Sequence, residues 1–181
     1  MAEVVLYHHV QGLTTGVVSF ADELRRAGHT VHTPDLYDAR TFATIEDGMA
    51  HAREVGFGAL LERGVAAVEA LASPGLVYAG FSFGVMPAQQ LAQTRADARG
   101  ALLFHACLPV SEFGNRWPDG IPVQVHGMDA DPFFAEEGGD LDAARELVAS
   151  TDQAELFLYP GNEHLFADSS LPSYDQAAAA L

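Results

Sequence analysis

The sequence predicts one α/β domain over residues 1–181, built on a doubly wound, mainly parallel six-stranded sheet with helices on both faces. Three observations support this fold class. A chain of 181 residues suits a single domain. Six short apolar runs are nearly continuous in hydrophobicity, which is typical of strands buried on both faces. Segments with helical spacing separate most of these runs, and that alternation indicates right-handed crossovers between parallel strands.

The predicted elements follow one another along the chain. Strands are expected at residues 4–8, 29–33, 76–79, 101–105, 122–126 and 155–159. Apolar residues recur at helical spacing at positions 17, 20, 21, 24 and 27, and again at 60, 61, 65, 68 and 71. Two further helices are expected at residues 85–93 and 141–149. We expect Gly28 and Gly75 to end helices, and Asp140 to cap the helix at 141–149.

Two long stretches, residues 35–56 and 107–121, interrupt the alternation. Each follows the carboxyl end of a predicted strand, where ligands bind in open parallel sheets, so we expect loops that form the walls and lid of a site. An alanine-rich helix begins near Ser173 and the chain stops at Leu181. A helix this short covers little of a sheet face, so we expect a truncated C-terminal helix.

Composition narrows the classes of function. The chain has 25 acidic and nine basic residues, a formal net charge of -16. That charge repels phosphate backbones and anionic lipid headgroups, so neither nucleic acid nor a membrane is expected as a partner. All nine basic residues are arginine, which removes Schiff-base chemistry on lysine and the lysine of a P-loop. We expect no cofactor.

Cysteine usage and the N-terminal sequence predict a cytoplasmic protein. The single cysteine, Cys107, cannot form an internal disulfide. The first residues lack the basic segment and long apolar stretch of a signal peptide, and no apolar run approaches the roughly 18 residues of a transmembrane helix. Because Cys107 lies outside any catalytic motif, we expect a buried or pocket-lining thiol.

The strongest local signal is the segment GFSFG at residues 80–84, between a predicted strand and a predicted helix. In a nucleophile elbow the serine occupies a sharp strand-to-helix turn, and small flanking residues are needed because a side chain there would collide with backbone. Gly80 and Gly84 meet that need. Ser82 is therefore the candidate nucleophile, and the alternative is an ordinary glycine-rich turn.

A serine nucleophile needs a base, and the base needs an orienting carboxylate. The sequence supplies both in the order Ser, Asp, His, on loops that follow the fifth and sixth predicted strands. His164 is the candidate base, although it could also be a surface histidine. Asp129 and Asp131 are both candidate acids. We favour Asp131 because Pro132 restricts the backbone and would fix the direction of the carboxylate.

These features together resemble the dienelactone hydrolase family of the α/β-hydrolase fold. The resemblance covers nearly the whole chain and includes PDLY at residues 34–37, the elbow, the loop around Asp131 and GNEHLF at residues 161–166. It implies the strand order 2-1-3-4-5-6, with Ser82 at the topological switch point. It also implies an oxyanion hole made by the backbone N–H groups of Val10 and Phe83.

We also expect six residues to line a substrate pocket. These are His9, Gln11, Gly12, Tyr37, Arg40 and Phe133. Arg40 lies near the place where the family holds a substrate carboxylate, and it could equally be a solvated loop residue. The founding members have a nucleophilic cysteine, contacted by a glutamate, where this chain has Ser82 and His9. An ordinary serine hydrolase that depends on His164 is therefore implied.

The predicted activity is hydrolysis of a carboxylic ester, thioester or lactone through an acyl-enzyme on Ser82. The expected partner is thus a small-molecule ester or lactone, bound by a monomer or homodimer. The alternative is a non-catalytic binding or scaffold protein that retains the fold. No metal site is expected, since neighbouring strand residues such as His8 and His9 point to opposite faces. We interpret His8 as a core histidine and His9 as a pocket residue beside Ser82.

The loops that would roof the site carry four aromatic residues, Phe113, Trp117, Phe133 and Phe134. They could form an apolar acyl pocket or simply fix the long loops to the core.

Overall fold

A computed structural model describes residues 1–71, 74–136 and 139–180. Its centre is a six-stranded parallel sheet with the order β2-β1-β3-β4-β5-β6. The strands are β1 (Glu3–Tyr7), β2 (Thr30–His32), β3 (Leu76–Phe81), β4 (Gly100–Phe104), β5 (Val123–Met128) and β6 (Ala154–Tyr159). The register places Val4 of β1 beside Val31 of β2 and Val77 of β3. The predicted fold class and strand order are confirmed, and the switch point lies between β1 and β3.

Six α-helices surround the sheet in the part of the chain that the structure describes. They are α1 (Thr15–Arg26), α2 (Ile45–Val55), α3 (Phe57–Glu69), α4 (Val85–Thr94), α5 (Asp140–Ser150) and α6 (Gln176–Ala179). Short 3-10 turns occupy Ser82–Gly84 and Val110–Glu112. None of the described helices is both long and apolar enough to cross a bilayer.

Alternate residues of the central strands β1, β3, β4 and β5 pack into two separate cores. Val5 and Tyr7 face the larger core, which buries residues of α2, α3, α4 and α5. Val4 and Leu6 face the smaller core, with residues of α1 and α6. This division follows from the two-residue period of a strand, and it explains the near-continuous apolar runs of the sequence.

Helix α2 corrects one sequence prediction, because residues 35–56 were expected to form a loop. The residues that α2 buries are Gly48, His51 and Ala52. All three are small or polar, but Ile45, Met49 and Val55 of the same helix pack against the core at helical spacing, so the sequence does contain an apolar period that the prediction overlooked. Thr44 caps the helix by accepting the N–H of Asp47.

Two helix boundaries also differ from the prediction. Asp140 is the first residue of α5 rather than its cap, and Gly139 occupies the capping position. Gly75 does not end α3, which stops at Glu69. Gly28 does follow the end of α1, with a positive φ of 95° and its N–H bonded to the carbonyl of Arg25.

Candidate active site

The turn at Ser82 joins β3 to α4 and holds the serine in a left-handed conformation, with φ of 48°. Two glycines make the turn possible. A Cβ on Gly80 would lie 2.2 Å from the carbonyl oxygen of Gly84, and a Cβ on Gly84 would lie 2.6 Å from the carbonyl oxygen of Tyr7. Both contacts are with backbone, which cannot easily move aside. The predicted strand–turn–helix context of Ser82 is therefore present.

His164 lies between Ser82 and Asp131. Its Nε2 is 2.9 Å from Oγ of Ser82, and its Nδ1 is 2.6 Å from Oδ2 of Asp131. Because a carboxylate only accepts hydrogen bonds, Nδ1 carries the proton and Nε2 is free to accept the hydroxyl proton of Ser82. The carboxylate of Asp131 is fully buried, and its second oxygen accepts the N–H of Phe133.

The two carboxylates that the sequence left open have different surroundings. Asp129 is exposed and accepts the N–H of Gly161 at 3.1 Å. Asp131, at the carboxyl end of β5, is the one that contacts His164.

Aromatic rings pack around the imidazole of His164. The Phe133 ring lies 4.8 Å away between centroids, and the His105 ring lies 5.7 Å away, edge to face. His105 is fully buried, and neither of its ring nitrogens has a partner within the described ranges. Burial is the main reason that the pKa of His105 lies well below the ordinary value. His164 therefore has a neutral ring as its neighbour.

His9 does not line a pocket as predicted, because its side chain is fully buried. Its Nε2 lies 2.7 Å from Oδ2 of Asp168, and its Nδ1 accepts the N–H of Gln11 at 3.2 Å. The neighbouring His8 is a core histidine that accepts the N–H of Leu36. Burial is the main cause that lowers the pKa of His8 to about 4.

The two predicted oxyanion-hole residues, Val10 and Phe83, belong to the same buried core cluster. Phe83 follows Ser82 directly in the turn. Val10 lies in a tight turn in which the N–H of Gly12, at φ of 93°, donates to the carbonyl of His9. The N–H of Val10 meets no hydrogen-bond acceptor among residues 1–71, 74–136 and 139–180. An unsatisfied N–H in a residue only 3% exposed is rare.

A groove of about 490 Å³ runs along His164. Two predicted pocket residues, Gln11 and Phe133, line it. The other lining residues are Ala43, Thr44, Ile45, Pro132, Asn162, Glu163, Leu165, Leu171, Pro172 and Ser173. Of the four loop aromatics, Phe133 is 53% exposed at the site, whereas Trp117 and Phe134 are buried in the core.

The remaining predicted pocket residues do not line this groove. Tyr37 is buried against His8 and His51, and its hydroxyl has no partner in the described parts of the chain. Burial raises the pKa of Tyr37 to about 12. Arg40 is exposed over the ring of Phe42, and its carbonyl oxygen fills the space that a Cβ on Gly12 would need.

Cys107 is fully buried, and burial followed by the charge of Asp140 raises the pKa of its thiol to about 12. A thiol in that state is not a nucleophile near neutral pH. No group of three or more metal-ligating side chains occurs in the described residues.

The chain matches the dienelactone hydrolase family over residues 1–181. It belongs to that family. As a dienelactone hydrolase family member, it is a hydrolase that acts on ester bonds. A search of curated proteins by sequence finds no match.

Solved structures share the fold at low identity. A promiscuous phosphotriesterase from metagenomic libraries, described as dienelactone hydrolase-like, is 21% identical with a TM-score of 0.74; the match covers 99% of this chain and 81% of that chain. Est1E from Butyrivibrio proteoclasticus, with ferulic acid bound, is 14% identical with a TM-score of 0.69, covering 99% and 84%. Alpha/beta hydrolase domain-containing protein 10 from mouse is 11% identical with a TM-score of 0.69, covering 99% and 85%.

The sequence analysis did not predict the contact of Asp168 with His9. Asp168 and His9 are 159 positions apart, and no motif or spacing connects them. The only local sign is that Ser169 and Ser170 follow Asp168, which is equally typical of a solvated turn.

Proposed function

We propose that this hydrolase cleaves a carboxylic ester, thioester or lactone through an acyl-enzyme on Ser82, with His164 as general base and Asp131 as the group that orients it. The observation that carries the proposal is the continuous path of hydrogen bonds from Oγ of Ser82 through the ring of His164 to Asp131, at 2.9 and 2.6 Å.

The proposed reaction has two steps. Nε2 of His164 takes the hydroxyl proton as Oγ of Ser82 attacks the ester carbonyl, and the resulting imidazolium donates that proton to the leaving alkoxide or thiolate. Water, deprotonated by the same nitrogen, then attacks the acyl-enzyme; the bond between the acyl carbon and Oγ of Ser82 breaks, the imidazolium returns the proton to Oγ, and the acid is released. Asp131 holds Nδ1 protonated, so that Nε2 is the nitrogen that accepts.

The developing oxyanion is proposed to bind the backbone N–H groups of Val10 and Phe83. The unsatisfied N–H of Val10 supports this role, because a buried donor without an acceptor suits an oxygen that arrives with the substrate. The loss of one oxyanion donor typically costs about 3 to 4 kcal/mol of transition-state stabilisation.

The groove beside His164 is the proposed binding site for a small-molecule ester. Pro132, Phe133 and Leu171 provide apolar surface, and Gln11 and Asn162 provide polar groups.

The test combines labelling with turnover of p-nitrophenyl acetate. A fluorophosphonate should label Ser82, as located by mass spectrometry, and Ser82→Ala should abolish both label and turnover. Ser19→Ala, on the exposed face of α1, is the matched control and should keep both. A label on another residue, or full turnover by Ser82→Ala, would overturn the mechanism. Absence of turnover in the wild-type protein would favour a binding role instead.

A further inference from the structure

A second imidazole–carboxylate pair lies next to the candidate active site, between His9 and Asp168. Nε2 of His9 is 2.7 Å from Oδ2 of Asp168, and both side chains are fully buried. Nδ1 of His9 accepts the N–H of Gln11. Nε2 must therefore carry the ring proton and donate it to Asp168.

Asp168 is surrounded by hydrogen-bond donors. Oδ1 accepts the N–H and the hydroxyl of Ser170 at 2.8 and 2.6 Å, and Oδ2 also accepts the hydroxyl of Thr14. Burial alone would raise the pKa of this carboxyl, but hydrogen bonds from His9, Ser170 and Thr14 lower it to about 2. Gly16 leaves room for the group, since a Cβ there would lie 1.6 Å from Oδ1. The carboxylate is thus ionised, and it can only accept hydrogen bonds.

The pair connects two loops of the proposed active site. His9 begins the tight turn that contains Val10 and ends at Gly12. Asp168 lies four residues after His164, and its N–H donates to the carbonyl of Leu165 at 3.0 Å. The hydrogen bond between His9 and Asp168 therefore joins the loop of the proposed oxyanion hole to the loop of the proposed base.

We propose that Asp168 and His9 are positioning residues, which hold the N–H of Val10 at the correct place relative to Ser82 and His164. This inference rests on the proposed function, because it assigns the pair to the same reaction.

The tautomer of His9 links the side chain at position 168 to the position of the Val10 N–H. As long as Asp168 accepts, Nε2 of His9 carries the proton and Nδ1 is free to accept the N–H of Gln11. An amide at position 168 can present its NH₂ group to Nε2 instead. The ring proton then moves to Nδ1, where it opposes the N–H of Gln11 and displaces the turn that contains Val10.

The first variant is Asp168→Asn, with Asp175→Asn as the matched control. Asp175 caps α6 and lies outside the proposed machinery. Rates are divided by the concentration of Ser82 that the fluorophosphonate labels, so that loss of folded protein does not lower the measured kcat. We expect kcat on p-nitrophenyl acetate to fall by about 10- to 100-fold while KM stays within about 3-fold, because oxyanion contacts act mainly in the transition state. Asp175→Asn should match the wild type in both constants.

A second readout separates positioning from a general loss of structure. A thionoester places sulfur, a weaker hydrogen-bond acceptor, where the ester places oxygen, so its hydrolysis depends less on the oxyanion hole. In Asp168→Asn the ratio of kcat/KM for the ester to that for the matched thionoester should fall about 10-fold. A merely structural role would lower both rates equally and leave the ratio at the wild-type value, which would overturn the inference.

Ser170→Ala provides a milder variant in case Asp168→Asn does not fold. It removes one hydroxyl donor to Asp168, and we expect about a 2- to 5-fold loss of kcat with a fall of the ester to thionoester ratio. An unchanged ratio in Ser170→Ala would also contradict the inference. Failure of the proposed function is distinguishable, because it would appear in the wild type as an unlabelled Ser82.

Discussion

Nδ1 of His164 lies 2.6 Å from Oδ2 of Asp131. Since Asp131 is completely buried and its other oxygen accepts a backbone N–H, the carboxylate has little freedom to turn away from the imidazole. This contact determines which ring nitrogen is protonated, and the first prediction follows from it.

Asp131→Asn should lower kcat for p-nitrophenyl acetate by about 10³- to 10⁴-fold, because an amide NH₂ can stabilise the wrong tautomer of His164. Asp129→Asn is the control and should stay within about 3-fold of the wild type, since Asp129 contacts a backbone N–H and is exposed. Steady-state kinetics on both variants show which of the two carboxylates orients His164. Small and equal losses would mean that neither residue orients the base.

Gly80→Ala should destabilise the protein by more than about 2 kcal/mol, because the new Cβ would meet backbone atoms of Gly84 at 2.2 and 2.3 Å. Gly58→Ala, in α3, is the matched control. Its Cβ would meet no atom within 4 Å, so better helix propensity should add about 0.5 to 1 kcal/mol. Urea denaturation measures both changes. Equal stability of the two variants would contradict the packing seen at the turn.

Stability should fall as the pH decreases from about 6.5 to about 4. Burial is the main cause that lowers the pKa of His126 to about 4 in the folded state, so in this range the unfolded chain binds a proton that the folded protein does not. In His126→Phe, which keeps a ring between Phe104 and Phe157, the loss of stability between pH 7 and pH 4.5 should be smaller by about 2 kcal/mol.

The free energy of unfolding, measured in urea at the two pH values, tests this. If His126→Phe lost as much stability as the wild type, the imidazole of His126 would have to be protonated in the folded protein.

Iodoacetamide should leave the enzyme active. Cys107 is fully buried and the pKa of its thiol is raised to about 12, so the folded protein offers almost no thiolate for alkylation. Mass spectrometry should find Cys107 unmodified in buffer and fully alkylated in urea. Loss of activity on alkylation, together with an active Ser82→Ala, would make Cys107 the nucleophile and remove Ser82.

The sheet was predictable because its central strands β1, β3, β4 and β5 are covered on both faces and therefore leave apolar runs in the sequence. The turn at Ser82 was predictable for a different reason, since only small residues fit at Gly80 and Gly84. The sequence narrowed the acid to two residues, and only the fold separates Asp131 from Asp129.

Two other features of the fold could not be predicted from apolar runs or glycine positions in the sequence. The close approach of Gly48 in α2 to the carbonyl oxygen of Val10, where a Cβ would lie 2.2 Å away, involves no apolar side chain. The contact between His9 and Asp168 joins two polar residues from opposite ends of the chain. Hydrophobic periodicity cannot detect either arrangement, because both depend on backbone approach or on polar pairing across the fold.

The left-handed conformation of Ser82 affects which substitutions would stabilise the protein. A non-glycine residue in that region of backbone space typically stores about 1 to 2 kcal/mol of strain. Ser82→Gly should therefore be more stable than Ser82→Ala by about 1 kcal/mol, although both are inactive. Selection for thermal stability alone would favour loss of the nucleophile, so a screen for more robust variants has to select for turnover at the same time.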